Sequence, residues 1–234
     1  NADYWASKQC TDYYDENNNG AYDDSIPCVY EYLWSKKAKR DVLSQELRFN
    51  SNNSSKLFNN TTDWLFGLYV SELEEINDLD SSYNGWADEV VDSKYSANNY
   101  ALFSQIDSSL LNDYQLSVGL RVERRTTDYS DTLGDNFSPS ENMWGGHIAL
   151  SKDITLNHSA YARIARGYKA GGFNMGLPEQ LSQFKKFDKE TLINYEVGIK
   201  SNLFNNALVS RLAVFYMDRQ DQQVNASVQN PDKP

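Results

Sequence analysis

The oxygen-rich segment Asp15–Asp24 has the clearest metal-binding pattern in the chain. Asp15, Asn17 and Asn19 alternate with other residues and are followed by Gly20, as in the first half of a calcium-binding loop. The twelfth position is Ile26 instead of the bidentate Glu of such loops. We favour a solvated loop tip over a calcium site. No cofactor is required, and Ca²⁺ is the one candidate, with Asp15, Asn17, Asn19 and Asp23 as its ligands.

The two cysteines of the chain, Cys10 and Cys28, stand on either side of this segment. Their position predicts a disulfide that closes one loop in an oxidising compartment. Such a closure stabilises by about 3 kcal/mol in the chain-entropy account. Two free thiols are the alternative.

Catalytic chemistry finds no support in the sequence. His147 and His158 are the only histidines, and each falls in a predicted strand without a cysteine nearby. Motifs for a serine nucleophile, a zinc helix or a phosphate-binding loop are absent. The net charge of −11 also argues against nucleic acid as a partner. We therefore expect neither an enzyme nor a nucleic-acid-binding protein.

The elements that carry these residues are predicted to be long β-strands. From Tyr114 to Val122 every second residue is apolar or aromatic, whereas Arg121 and Glu123 belong to the other face. Similar alternation predicts about eight strands between Asp41 and Asp221. No run of 18 apolar residues occurs, which excludes a transmembrane helix.

The connections between these strands alternate in length. Short turns are predicted at 50–61, 111–113, 151–154 and 201–206, and long loops at 73–97, 126–142 and 167–189. Short periplasmic turns opposite long extracellular loops are typical of an antiparallel transmembrane β-barrel. The predicted fold class is therefore all-β, with an apolar face toward lipid and a polar face toward a lumen.

Charged residues in the alternating strands are predicted to line that lumen, because charge against lipid is costly. Cross-strand ion pairs within the wall are favoured over ligand contacts. The pattern does not assign the facing of strands 98–107 and 155–166. The candidate lumen-lining residues are Glu46, Arg48, Arg121, Glu123, Glu196 and Lys200.

Several segments, in order and with matching spacing, resemble the barrel strands of TonB-dependent outer-membrane receptors of the siderophore-receptor type. They are Ser44–Arg48, Trp64–Tyr69, Tyr100–Phe103, Gly119–Arg121, Ala165–Asn174, Asn194–Lys200, and Phe215-Tyr216 with Asp221 and Gln222. The resemblance implies the middle section of a barrel of about 22 strands. On this interpretation residues 1–40 are an extracellular loop, residues 41–230 a partial barrel, and residues 231–234 the start of the next loop.

The resemblance also implies a location and partners. Such receptors lie in the outer membrane of Gram-negative bacteria, contact its lipid, and import ferric siderophores or other scarce nutrients. TonB supplies the energy through a plug domain, which this sequence lacks. Tyr168, Lys169, Phe173 and Asn174 are the candidate ligand-binding residues, since an aromatic and cationic rim suits an anionic, aromatic chelate.

Three alternatives remain open at this stage. In the first, the Gly-rich segment after Arg166 does not bind a ligand and only shapes the end of a strand. The second is a complete eight-stranded outer-membrane barrel with a structural, adhesive or passive-pore role, in which the strand at Asp41 pairs with the strand at Val209. The third is a secreted calcium-binding β-protein.

Overall fold

A computed structural model describes residues 5–7, 30–83, 86–174 and 179–224. The long strands are β1 Tyr30–Asn50, β2 Thr62–Tyr83, β3 Trp86–Ser109, β4 Tyr114–Asp131, β5 Ser140–Thr155, β6 His158–Lys169, β7 Glu190–Leu203 and β8 Leu208–Gln220. Shorter strands are Trp5–Ser7, Asn136–Phe137, Gly172–Phe173 and Lys186–Phe187, and the 3₁₀-helices are Leu111–Asp113 and Glu179–Phe184. No helix in these ranges is long and apolar enough to cross a membrane.

The long strands follow one another in a single sheet, each hydrogen-bonded to its neighbour in sequence. The pairs from β4 to β8 are antiparallel. The short strand Trp5–Ser7 adds to β1 at one end of this order, and β8 lies at the other end. Within the described ranges the sheet is therefore not closed by pairing of β1 with β8, as the small eight-stranded barrel would require. The all-β antiparallel prediction is confirmed.

The strand register brings the apolar positions into rows on one face. Val118 pairs with Ile148, Ile148 with Ile164, Ile164 with Tyr195, and Tyr195 with Tyr216. These side chains are uncovered: Ile148 is 57% exposed and Tyr216 is 68% exposed. A face this apolar and this exposed is what a sheet in contact with lipid presents.

The described residues form two compact units, one within 42–72, 97–127 and 138–224, and one within 30–41, 73–96 and 128–137 together with 5–7. The second of these contains the hairpin ends of β2, β3 and β4. Leu79, Val91 and Tyr129 are buried there, and Tyr129 stacks on Phe137 with ring centres 6.0 Å apart. Buried polar side chains accompany them: Asn77, Ser81 and Ser93.

Three predicted connections are wrong in their bounds. The segment 73–97 is strand except for residues 84–85, which lie outside the described ranges. The segment 126–142 is largely strand around a turn at 132–135, and β6 continues to Lys169 inside the loop predicted at 167–189. Polar residues occupy both faces of these strand ends, so the alternation that identifies a strand is missing.

Two further boundaries are corrected by the hydrogen bonding. The predicted turn at 151–154 is part of β5, where Ser151 pairs with Gln115 and Lys152 with Tyr114, and the turn follows at 156–157. The last short turn is 204–207 rather than 201–206. Residues 1–40 were predicted to be non-strand, whereas β1 already starts at Tyr30.

Candidate functional site: the polar face of the sheet

A three-residue network of hydrogen bonds lies on the polar face. The guanidinium of Arg121 donates from Nη2 and Nε to Oε2 of Glu123, over 2.7 and 3.0 Å. Tyr168 donates its hydroxyl proton to the same oxygen over 2.8 Å, and its oxygen accepts from Nε of Arg121 over 3.1 Å. Charge-assisted bonds of this kind hold each partner in one geometry. Two predicted lumen-lining residues and one predicted ligand-binding residue therefore meet at one place.

Aromatic rings from neighbouring strands surround this network. The guanidinium carbon of Arg121 is 5.2 Å from the ring centre of Tyr69 and 6.0 Å from that of Phe103. The guanidinium carbon of Arg48 lies 5.8 Å from the ring centre of Phe103, and Arg48 forms an ion pair with Glu46. Cation–π contacts of this geometry are attractive and leave the remaining donors of each guanidinium available.

Tyr168 reaches the polar face because the ladder between β5 and β6 ends early. The last pair between these strands is Gly146 with Arg166, whereas β6 stays paired with β7 as far as Lys169 and Glu190. Gly145 makes room for the tyrosine: a Cβ there would stand 3.1 Å from the Tyr168 ring and 2.9 Å from a backbone oxygen. A larger residue at this position would push the ring away from Glu123.

A second cluster forms between β6 and β7. Tyr161 donates to Oε1 of Glu196 over 2.7 Å, and the ammonium of Lys200 is 5.3 Å from the Tyr161 ring centre. Asn194 donates weakly to Oε2 of the same glutamate, over 3.5 Å. Glu196 and Lys200, both predicted to line the lumen, thus contact the same tyrosine, which the prediction did not include.

The other predicted ligand-binding residues lie beyond the end of β6. Lys169 is exposed, and Phe173 belongs to the small two-stranded sheet with Lys186–Phe187. Asn174 donates from Nδ2 to the carbonyl oxygen of Phe184 over 2.7 Å. Phe173 and Asn174 therefore support the fold of their own segment, as the strand-shaping alternative proposes. The assignment of all four residues to a ligand stays a prediction.

The two strands of unassigned facing are now placed. Tyr100 and Leu102 border an apolar groove with Leu68 and Val122, whereas Phe103 contacts the arginines of the polar face. In β6, Ile164 pairs across the apolar rows, so Tyr161 and Arg163 belong to the polar face. Sequence reasoning missed Phe103 and Tyr161 because an aromatic residue next to other apolar residues carries no facing signal.

A groove of about 750 Å³ runs along the polar face. Its lining combines arginines with aromatic and amide side chains, a surface suited to anionic and planar groups. The arginine, aromatic and amide residues of its lining include Arg48, Phe103, Arg121, Arg163, Tyr168 and Asn194.

Both histidines form hydrogen bonds with serines of neighbouring strands. Ser117 and His147 are hydrogen-bonded at 3.2 Å, and His158 and Ser201 at 2.8 Å. No group of acidic, histidine and cysteine residues within the described ranges could hold a metal ion. The calcium ligands Asp15, Asn17, Asn19 and Asp23, and the disulfide between Cys10 and Cys28, fall outside those ranges and stay predictions.

The paired antiparallel strands, their uncovered apolar face and their polar face of ion pairs define the wall of a transmembrane β-barrel. The model of the family "TonB dependent receptor-like, beta-barrel" matches residues 1–234. The chain therefore belongs to the TonB-dependent receptor β-barrel family, as the resemblance of its strand motifs indicated. Members of this family are outer-membrane proteins of Gram-negative bacteria, and they are receptors rather than enzymes.

Individual relatives agree with this assignment. The pesticin receptor of Yersinia enterocolitica is 28% identical over 173 residues, which are 70% of this chain and 25% of the relative. The ferric yersiniabactin uptake receptor of Yersinia pestis has a TM-score of 0.65 at 24% identity, covering 83% of this chain and 30% of that one. The alcaligin outer-membrane receptor of Bordetella pertussis has a TM-score of 0.55 at 14% identity, and the match covers 87% of this chain and 35% of that one. This chain thus spans about a quarter of the length of the curated relatives it matches.

Proposed function

We propose that this chain is part of an outer-membrane transporter that imports a ferric siderophore or a similar scarce nutrient with energy from TonB. The observation that carries the proposal is the two-faced sheet: uncovered apolar rows on one side, and arginines with aromatic rings on the other. Family membership and the ferric ligand in the name of one structural neighbour, the ferric yersiniabactin uptake receptor, support it. The protein would reside in the outer membrane of a Gram-negative bacterium, in contact with its lipid.

The polar face would form part of the lumen through which the ligand passes. Arg48 and Arg121 could pair with the carboxylate or phenolate oxygens of a chelate, while Tyr69 and Phe103 offer rings for stacking. Lys169 and Phe173 would meet the ligand earlier, near the outer end of β6. Glu46, Glu123, Glu196 and Lys200 would line the wall and fix the positions of their neighbours.

Uptake of radioactive iron by cells tests the proposal directly. A strain without the gene, and without other receptors for the chelate offered, is complemented with the full-length protein and supplied with a panel of ⁵⁵Fe-siderophores. We expect uptake of at least one chelate, and its loss when TonB is deleted. Uptake that is the same with and without the gene, for every chelate and for alternative nutrients such as cobalamin, would contradict the proposal.

Variants separate the proposed ligand contacts from general structure. Lys169→Ala and Phe173→Ala should raise the KM for uptake while the amount of folded receptor in the outer membrane stays constant. Lys152→Ala is the matched control, because Lys152 lies near the short-turn end of β5 and its ammonium rests 4.5 Å from the Tyr114 ring centre. An unchanged KM in both test variants would remove these residues from the ligand path.

A further inference from the structure

The apolar face contains a groove that ends in cationic and amide groups. Its walls are apolar and belong to β2, β3, β4 and β5, and its volume is about 710 Å³. Arg124 and Asn142, which pair across β4 and β5, lie at one end of it. Arg124 is exposed and points to the same face as Val122, two residues before it. The apolar lining residues are Leu68, Val70, Tyr100, Leu102, Val122 and Trp144.

A second arginine stands beside this groove. Arg166 follows Ile164 by two residues on the apolar face, and its guanidinium carbon is 4.1 Å from the ring centre of Trp144. It also donates to the carbonyl oxygen of Trp144, where the ladder between β5 and β6 has ended. Stacking and this hydrogen bond hold Arg166 beside Trp144, and the bond uses one of the five N–H donors of its guanidinium.

The two arginines lie where the apolar rows end toward the long hairpins. From Val122, β4 runs through Arg124 to the hairpin turn at 132–135, and Trp144 pairs with Val122. Cations and tryptophan at the edge of an apolar band occupy the level of lipid headgroups. Carboxylates also lie on this face by strand position: Asp128 follows Arg124 by four residues in β4, and Glu72 and Asp218 lie two strands away, in β2 and β8.

We infer that this surface binds one phosphorylated lipid of the outer leaflet, with an acyl chain in the groove and a phosphate between Arg124 and Arg166. The planar guanidinium of arginine matches phosphate geometry, and an apolar groove of about 710 Å³ offers contacts to a hydrocarbon chain. The inference assumes the proposed outer-membrane location but is independent of which nutrient the protein imports. Its ligand is a lipid, not the transported chelate.

Native mass spectrometry of the full-length protein in detergent tests the inference. The probes are lipid A with two phosphates, the same lipid A after removal of both phosphates, and inorganic phosphate. We expect the phosphorylated lipid to bind at least tenfold more tightly than the dephosphorylated one, and no retention of inorganic phosphate. Arg124→Gln, which breaks no contact within the sheet, should weaken lipid binding about fivefold, and the double variant with Arg166→Gln by a further fivefold.

Arg163→Gln is the matched control, because Arg163 is an exposed arginine of β6, the strand of Arg166, and belongs to the opposite face of the sheet. Its lipid binding should equal that of the unmodified protein. Equal binding of lipid A with and without phosphates would mean that both arginines only extend to the headgroup region, and would overturn the inference. Equal weakening by Arg163→Gln and Arg124→Gln would overturn it as well, since the effect would then reflect net charge alone.

Discussion

At the scale of single residues, glycines of this sheet permit close contacts that a side chain would prevent. Aromatic rings cover Gly67, Gly119 and Gly198 on the polar face, where an added Cβ would stand 2.1, 2.6 and 2.6 Å from the rings of Phe103, His147 and Tyr161. Glycine in a strand interior costs stability in itself, and a ring laid over it restores part of the lost packing. The rings in turn hold positions from which they contact Arg121, Ser117 and Glu196.

Gly146→Ala should destabilise the barrel. The new Cβ would stand 2.5 Å from the carbonyl oxygen of Gly119, a backbone atom of the neighbouring strand that cannot move without breaking the β4–β5 ladder. Overpacking of this kind costs about 1–3 kcal/mol. Urea unfolding of the full-length protein in detergent, followed by tryptophan fluorescence, measures the loss. Gly167→Ala is the control, since a Cβ at Gly167 meets nothing within 4 Å, and equal midpoints for the two variants would contradict the argument.

Tyr168→Phe should cost about 1 kcal/mol, because it removes the hydroxyl from the bonds with Glu123 and Arg121 but keeps the ring over Gly145. Arg121 and Glu123 remain paired with each other in this variant. A double-mutant cycle with Arg121→Gln isolates the coupling between the tyrosine and the arginine. We expect coupling of at least 0.5 kcal/mol, and strictly additive effects would show that the three groups are not a network.

At the scale of elements, the same tetrapeptide builds two of the short turns. Leu57-Phe58-Asn59-Asn60 precedes β2 and Leu203-Phe204-Asn205-Asn206 precedes β8. In each, the Phe and both Asn residues have φ between 48° and 68°, in the left-handed region that asparagine tolerates better than most residues. The two phenylalanines are 74% and 78% exposed, which suits an aromatic girdle at the membrane surface.

Substitutions in these turns should follow the backbone requirement. Asn205→Gly should preserve or raise stability, because glycine adopts the φ of 55° without strain. Asn205→Val should lower it by about 1–2 kcal/mol, since a β-branched residue disfavours this conformation. The corresponding variants of Asn59, with φ of 56°, should behave alike. The refolding yield in detergent and the urea midpoint are measured for the Gly and Val variants of Asn205 and of Asn59. Equal stabilities of the Gly and Val variants would refute the turn argument.

The hairpin end of β2 contains an ion pair that responds to pH. Burial alone would raise the pKa of Glu75, but the hydrogen bonds from Arg40 and Asn77 outweigh it and hold the pKa below its usual value. Nε of Arg40 donates to Oε2 of Glu75 over 2.6 Å. Because the folded-state pKa is lowered, the pair stabilises this segment above the unfolded pKa of about 4.3, and the stabilisation is lost as the pH falls through the folded pKa.

Amide exchange of peptides from residues 73–83, corrected for intrinsic rates, tests this dependence. Protection should fall as the pH drops below about 4, and Glu75→Gln should remove the change by lowering protection at neutral pH to the acid level. Glu74→Gln is the control, since Glu74 is exposed on the opposite face. A pH dependence that survives in Glu75→Gln would assign the effect to other groups.

The central part of each strand could be predicted, because an apolar face against lipid imposes a period of two on the sequence. The hairpin ends could not be predicted in this way. Beyond Val70, the exposed face of β2 is mostly polar, and its opposite face buries the polar residues Asn77 and Ser81. The network of Arg121 and Glu123 was half predicted: their strand has the cleanest alternation, but Tyr168 joins them only because the ladder between β5 and β6 stops at Gly146. The point at which pairing between two strands ends cannot be read from the alternation of residues within either strand.

At the scale of the whole molecule, the state of the last strand decides how this sheet is completed. β8 is paired with β7 on one side, and every one of its residues is exposed. A strand with an unpaired edge cannot remain in hydrocarbon, where each unsatisfied backbone group costs several kcal/mol. In the family to which this chain belongs, another strand of the same barrel must cover that edge.

Amide exchange at residues 208–220 distinguishes completion by further strands from closure on itself. In the isolated 234-residue chain in detergent, the alternate amides of β8 that face away from β7 should exchange rapidly. The amides of β7 should stay protected, because β7 is hydrogen-bonded to both β6 and β8. In the full-length protein all amides of β8 should be protected. Equal and complete protection of β8 in both proteins would mean that the chain closes its own barrel, and the receptor-segment interpretation would yield to the small eight-stranded barrel.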